Sequence, residues 1–369
     1  MTPIQALNTG PGPLSLLTLR RGPVEAEGAA TRTPAWGVSM SGAFQPRFHP
    51  AGFDRALRVV LDDARAGRWR SMKVLLETCA TWGLRTSRSQ VLAAAAANAD
   101  AVEAWLQEEP HVNAVMMQAR VWVERALNAH RAGQRDAGSL ADRARRACRE
   151  ATRCWPDDPV PWVGLLALAQ VDSPDVYQRR PEHRAEAWEY MLPYGPWGLL
   201  REVQERDPGN REAWHRMLQA MQAYGANAHD FVRWVSTWAP AGSPLVLLSL
   251  YLHAEHYGIQ RANGQLTPLY WTRDPVSHDT LRALAWWFPQ ADARSWSPLD
   301  LNHLAQALHS GGFGEGAAAV FEAIGPYVTP VPWKYVADAP ERWLEEFERA
   351  RSRYVRDPQT GPLHAGRRR

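Results

Sequence analysis

The sequence predicts an all-α fold, an irregular α-solenoid built from antiparallel helix pairs. Three observations carry this. A punctuation mark recurs: Trp155-Pro-Asp-Asp-Pro-Val-Pro-Trp162 returns in altered form as Asp207-Pro-Gly-Asn-Arg-Glu-Ala-Trp214, with a proline six residues ahead of a tryptophan each time. The proline stops one helix, the polar residues turn the chain, and the tryptophan opens the apolar face of the next. Weaker copies run from Pro110 to Met116 and from Pro240 to Val246. Between these marks, apolar residues recur at i, i+3, i+4 and i+7, the period of a half-buried helix. Finally, no run of alternating β-branched residues announces a strand.

Taken in chain order, residues 1–50 hold many Gly, Pro, Ser and Thr residues and no helical period, so they are expected to form a disordered or loosely attached tail. The helical-repeat domain is placed at 51–356. It opens on Leu57, Val60, Leu61 and Ala64 in helical register. The run Ala93–Ala97 favours helix and lets a neighbouring helix approach closely. Between 111 and 130, Val112, Val115, Met116, Ala119, Trp122, Val123, Ala126 and Leu127 keep the period for over four turns. Trp214, Met217, Leu218 and Met221 repeat it, as do Trp343, Leu344, Phe347 and Tyr354. The marker prolines are spaced by 46, 52 and 32 residues, so the array holds insertions, at Asp172–Arg184 and Ile259–Pro275. Residues 357–369 form a second tail ending in three arginines, expected to be flexible and basic.

The segment from Leu301 to Phe321 has the spacing of a tetratricopeptide unit. Gly312 falls at the turn from first helix to second, and Ala317 and Phe321 fall where the second packs back. Gly311, Gly312, Gly314 and Gly316 do not match a phosphate loop, since no Lys-Ser/Thr follows and no strand precedes. The fold is therefore expected to be an irregular tetratricopeptide-like α-solenoid. The strings 147–166, 206–215 and 239–245, together with Leu301-Asn-His-Leu304 and Pro332-Trp-Lys-Tyr335, resemble actinobacterial tetratricopeptide-like (helical-repeat) proteins of unassigned function. The likeness covers roughly 52–355. It implies a helical-repeat protein and brings no catalytic residue with it.

Composition bounds the function. Forty-two Lys+Arg against 39 Asp+Glu leave a formal charge of +3, so the chain is not a basic protein. The only lysines are Lys73 and Lys334, and the arginine bias follows the abundance of Ala, Pro and Trp, as in a high-GC genome. Cys79, Cys148 and Cys154 make no disulfide framework and are read as small buried hydrophobes in a reducing compartment. No stretch approaches the roughly 18 apolar residues of a membrane span. Leu14–Leu19 has its basic residues behind it, the opposite of a secretory signal. A cytoplasmic protein is expected.

Eighteen tryptophans are the compositional anomaly. Burying one indole stabilises by at most about 4–6 kcal/mol, at ~25 cal/mol per Å2 over roughly 150–250 Å2. Trp122, Trp162 and Trp214 are expected to wedge between helix pairs. Trp286-Trp287-Phe288 cannot all face one core, because helical neighbours point about 100° apart. Trp271, Trp296 and Trp333 stand in Pro-rich loops. Trp271, Trp286, Trp287, Trp296 and Trp333 are therefore the candidate partner-binding aromatics. His253 and His256 stand at i, i+3, but Glu255 points to another face and no third ligand is identified, so no metal, cofactor or catalytic residue is assigned. A basic helix at 139–153 supplies Arg146, Arg149 and Arg153, interrupted by Asp142 and Glu150.

The expected function is a noncatalytic scaffold that holds a protein or peptide in the concave groove of the array. The alternative is an RNA-binding helical-repeat protein using the arginine helix with interleaved aromatics. An enzyme with an unrecognised site stands third.

Overall fold

A computed structural model describes residues 44–172, 180–183, 185–265 and 269–355. The expected N-terminal tail up to residue 43, the C-terminal tail at 357–369 and the centre of the first insertion lie outside the described residues. The described residues form sixteen α-helices and contain no strand, only a single bridge between Arg47 and Tyr327. No helix among them is long and apolar enough to cross a membrane.

The first helix, α1 (Arg55–Arg65), starts where the Asp54 carboxylate accepts a hydrogen bond from Leu57 N, and it buries Leu57, Val60, Leu61 and Ala64. Next come α2 (Arg70–Glu77), α3 (Trp82–Ala96), α4 (Ala101–Glu108), α5 (Val112–Arg131) and α6 (Ala137–Cys154). After the Trp155–Pro159 turn, α7 (Val160–Leu168) is apolar all round and is buried except at Trp162. Helix α8 (Trp197–Arg206) leads to the second copy of the turn. There the Asn210 side chain caps α9 (Arg211–Ala223) by accepting from Ala213 N. The rest are α10 (Ala228–Trp238), α11 (Leu248–Ala262), α12 (Val276–Arg282), α13 (Pro298–Gly311), α14 (Gly314–Ile324), α15 (Pro330–Val336) and α16 (Trp343–Ser352). Every marker proline sits in a turn ahead of an odd-numbered helix. Gly312 caps α13 at φ +80°, a left-handed conformation that favours glycine.

Odd-numbered helices follow one another in space: α1 packs on α3, α3 on α5, α5 on α7, α7 on α9, then α11 on α13 and α13 on α15. Most even helices pack on the odd helix that follows: α2 on α3, α4 on α5, α6 on α7, α8 on α9, α10 on α11 and α12 on α13. Contacts that skip a helix break a simple series, since α3 also reaches α7 and α9, and α11 reaches α15.

The start and end of the helical array touch. Phe44 stacks on Phe347, Phe48 meets Trp343 edge-on, and Phe53 meets Tyr327 edge-on. The Arg58 guanidinium donates to the Tyr327 hydroxyl and to Gly52 O. At Gly52, φ is +50° and a Cβ would fall 2.5 Å from the Pro298 ring, so this approach requires glycine. The tail boundary expected at residue 50 thus falls inside a packed segment that begins by Phe44. Apolar period gives no sign of it, because the contacts are single aromatic residues on an extended chain.

Candidate functional site

The odd helices, whose shared face should line the groove, carry a buried polar layer there. Arg85 and Thr86 come from α3, Arg120 from α5, Asn210 to Arg216 from the cap and first turns of α9, and Asp300 with His303 from α13. Glu212 and Arg216 stand four apart on α9, and Asp300 and His303 three apart on α13, so each of these pairs shares a face. They bind one another. Arg120 donates to Glu212 Oε1 at 3.0 Å, and Arg216 shares that oxygen at 3.2 and 3.1 Å. Asn210 donates to Thr86 Oγ1 at 3.1 Å, tying α9 to α3. Arg211 Nε donates to Asp300 Oδ2 at 2.8 Å, and the Tyr251 hydroxyl donates to Oδ1 at 2.6 Å. Arg85 holds Asp158 and Asn113, with the rings of Trp82 and Trp155 5.9 and 4.8 Å from its guanidinium. The faces on which α3, α5, α9 and α13 meet are therefore filled by the chain's own ion pairs and hydrogen bonds.

Burial alone would raise Glu212, but Arg120 and Arg216 together outweigh it and hold the carboxyl below its ordinary value. Burial, reinforced by Asp300, pushes the Tyr251 hydroxyl well up. His303 stacks on Tyr251 at 3.7 Å between centroids and donates from Nδ1 to Leu299 O at 2.8 Å. Burial lowers its pKa from 6.5 to about 4. Between those values the unfolded chain binds a proton that the folded chain refuses, so stability must fall as pH drops through 6.5 towards 4. At 1.36 kcal/mol per unit, His303 contributes about 2 kcal/mol of loss between about pH 7.5 and 5. Urea unfolding of His303→Asn at the two pH values should show that much less acid sensitivity. An unchanged loss would rule His303 out as its source.

The candidate aromatics divide by burial. Trp286 is 45% exposed and its indole N–H donates to Ala239 O at 3.3 Å, whereas its neighbour Trp287 is buried. A π-helical turn over Ala283–Trp287 sets that division. Trp271 and Trp333, expected in Pro-rich loops, are buried. Trp333 opens no loop at all but lies within α15, its N–H donating to Asn302 Oδ1 at 2.9 Å. Trp296 is half-buried and stacks on Phe288 at 5.2 Å. Local proline content misled here, because a loop packed over a core covers indoles as well as a helix does. Of the wedge residues, Trp214 is buried, while Trp122 and Trp162 are half-buried under arginines, Arg143 at 3.8 Å and Arg206 at 5.0 Å.

Arg146, Arg149 and Arg153 are exposed on α6. Arg149 meets Glu182 at 3.4 Å. Arg145, in the same stretch, is buried against Asp172 at 2.6 Å, and Arg180 from the insertion pairs with that aspartate at 3.0 Å. The basic helix is thus partly neutralised by its own insertion. The cysteines also depart from expectation: only Cys148 is buried, its thiol pushed up to about 12, while Cys79 is half-buried and Cys154 exposed.

A surface not anticipated lies between α7 and α8. Tyr190, Met191 and Tyr194 are 94, 74 and 84% exposed. Immediately before them, Trp188 turns inward and touches Trp197, Trp214 and Trp234 at 5.6–5.7 Å. Trp238, 41% exposed, completes the group against Trp214 and Trp234. The available signal was a Pro-bounded segment, Pro181 to Pro196, rich in aromatics yet without helical period. The chain matches no known family profile, no curated protein and no solved structure.

Proposed function

We propose that this chain is a noncatalytic, cytoplasmic protein-binding scaffold of tetratricopeptide-like helix pairs, with its docking face on the outside of the array. The serial contacts among odd helices support the repeat architecture. The observation that carries the binding reading is the exposure of Tyr190, Met191 and Tyr194, in the segment that Trp188 anchors to the core. Exposed large aromatic side chains resemble the anchors that dominate protein interfaces. The rim favours a protein over a phosphate-bearing partner, since exposed Glu186 and Glu189 flank the patch. RNA binding through α6 is less well supported, with Arg145 buried and Arg149 paired.

Crosslinking capture from the native cell tests this, comparing the parent chain with a Tyr190→Ser/Tyr194→Ser variant. Both substitutions are on exposed side chains and should change stability by no more than about 0.5 kcal/mol. A partner held by the parent and lost from the variant is the expected result. An undiminished partner on the variant, or none on the parent, overturns the proposal.

A further inference from the structure

A second surface, independent of the scaffold reading, gathers unneutralised cations around a cleft. Helices α10, α11 and α12 enclose about 330 Å3, within the size range of small-molecule sites. His253 and Ser249 form its buried floor, and His229, Arg233, Thr237 and His278 stand exposed at its rim. The one carboxylate in the wall, Asp279, is engaged by His253 Nε2 at 2.9 Å. Neither Arg233 nor Arg282 has a carboxylate partner among the described residues. Arg282 donates to the carbonyl of Ser236, and its Nε is buried without a partner. Directly after Arg282 the helix changes to π geometry, a distortion often found at functional sites.

These groups are a donor set for an anion. Two guanidiniums supply charge and planar forks, and Ser236 adds a hydroxyl beside them, while that of Thr237 is already given to Trp234 O at 2.7 Å. A metal fits less well. Although His229 lies 6.1 Å from His253 and 5.6 Å from His256 between ring centroids, no three His, Cys, Asp or Glu side chains among the described residues are placed to hold a metal ion.

We infer that the α10–α11–α12 cleft binds a small phosphate-bearing molecule, with Arg233 and Arg282 as its principal charge partners and His229 and His278 closing on it from the rim. Where the phosphate stays dianionic, binding is expected to draw a proton onto His229 and so to strengthen as pH falls through neutrality. Burial, His253 and His256 all disfavour protonation of His229 in the empty cleft, Asp230 opposes them, and Arg233 adds to the repulsion. Arg273 acts in the same sense on His256. A bound dianion reverses that balance.

Calorimetric titration with inorganic phosphate and glycerol 3-phosphate, with glycerol and zinc chloride as controls, tests the site in the full chain. The expected result is binding of both phosphates, no binding of glycerol, and about tenfold weaker binding in Arg233→Gln, the loss of one charge-assisted contact. His229→Gln, also at an exposed position, is expected to flatten the pH dependence. Failure of either phosphate to bind at millimolar concentration overturns the inference. So does affinity unchanged in Arg233→Gln, or zinc binding in preference to phosphate.

Discussion

Glu212→Gln is expected to destabilise the fold by about 3–5 kcal/mol, the cost of removing one partner from a buried ion pair. Glu212 lies in contact with two buried arginines, Arg120 and Arg216, and neutralising it leaves both without a counter-charge. The substitution keeps the side-chain shape, so the loss reports charge and not volume. Urea unfolding at unchanged m-value measures it. A companion variant sharpens the reading. Arg120→Met, Glu212→Leu and Arg216→Met together replace all three charges with apolar groups, a change that is often near neutral. If Glu212→Gln costs less than about 1 kcal/mol, the layer between the inner helices is not a closed, dry set of ion pairs.

Trp214→Ala is expected to cost about 3–5 kcal/mol, the range for deleting a fully buried aromatic. Trp214 opens the apolar face of α9 and touches Trp188, Phe231, Trp234 and Trp238, rings contributed by two other segments. Its removal leaves a cavity against Trp188, two residues ahead of Tyr190 in the chain. The segment loses that anchor, so partner capture should weaken together with stability. Trp286→Ala supplies the contrast: an indole 45% exposed should cost well under half as much. Equal losses at the two positions would contradict the assignment of Trp214 as the base of the cluster.

The helices were readable because their signal is local. Leu57, Val60, Leu61 and Ala64 stand one turn apart, and any packed helix with that pattern buries them together. The turns were readable for a similar reason: Pro156 and Pro208 restrict the backbone whatever surrounds them, and Gly312 permits the left-handed cap. Tryptophan exposure was not readable. Trp286 and Trp287 are adjacent, and a π turn decides which one faces solvent. Trp333 sits between prolines yet is buried against Asn302 and Phe321. The polar layer was equally hidden, since arginines and glutamates three or four residues apart read as a solvated helix face.

The residue pattern by itself determined that this chain is helical and where its helices stop, because hydrogen bonding and side-chain register within a helix span only a few residues. Tertiary structure alone decided that the inner faces meet. Arg120 reaches Glu212 across 92 residues, and Asn210 reaches Thr86 across 124. A charge is solvated or paired according to which helix stands opposite it, and that is a property of the assembled array.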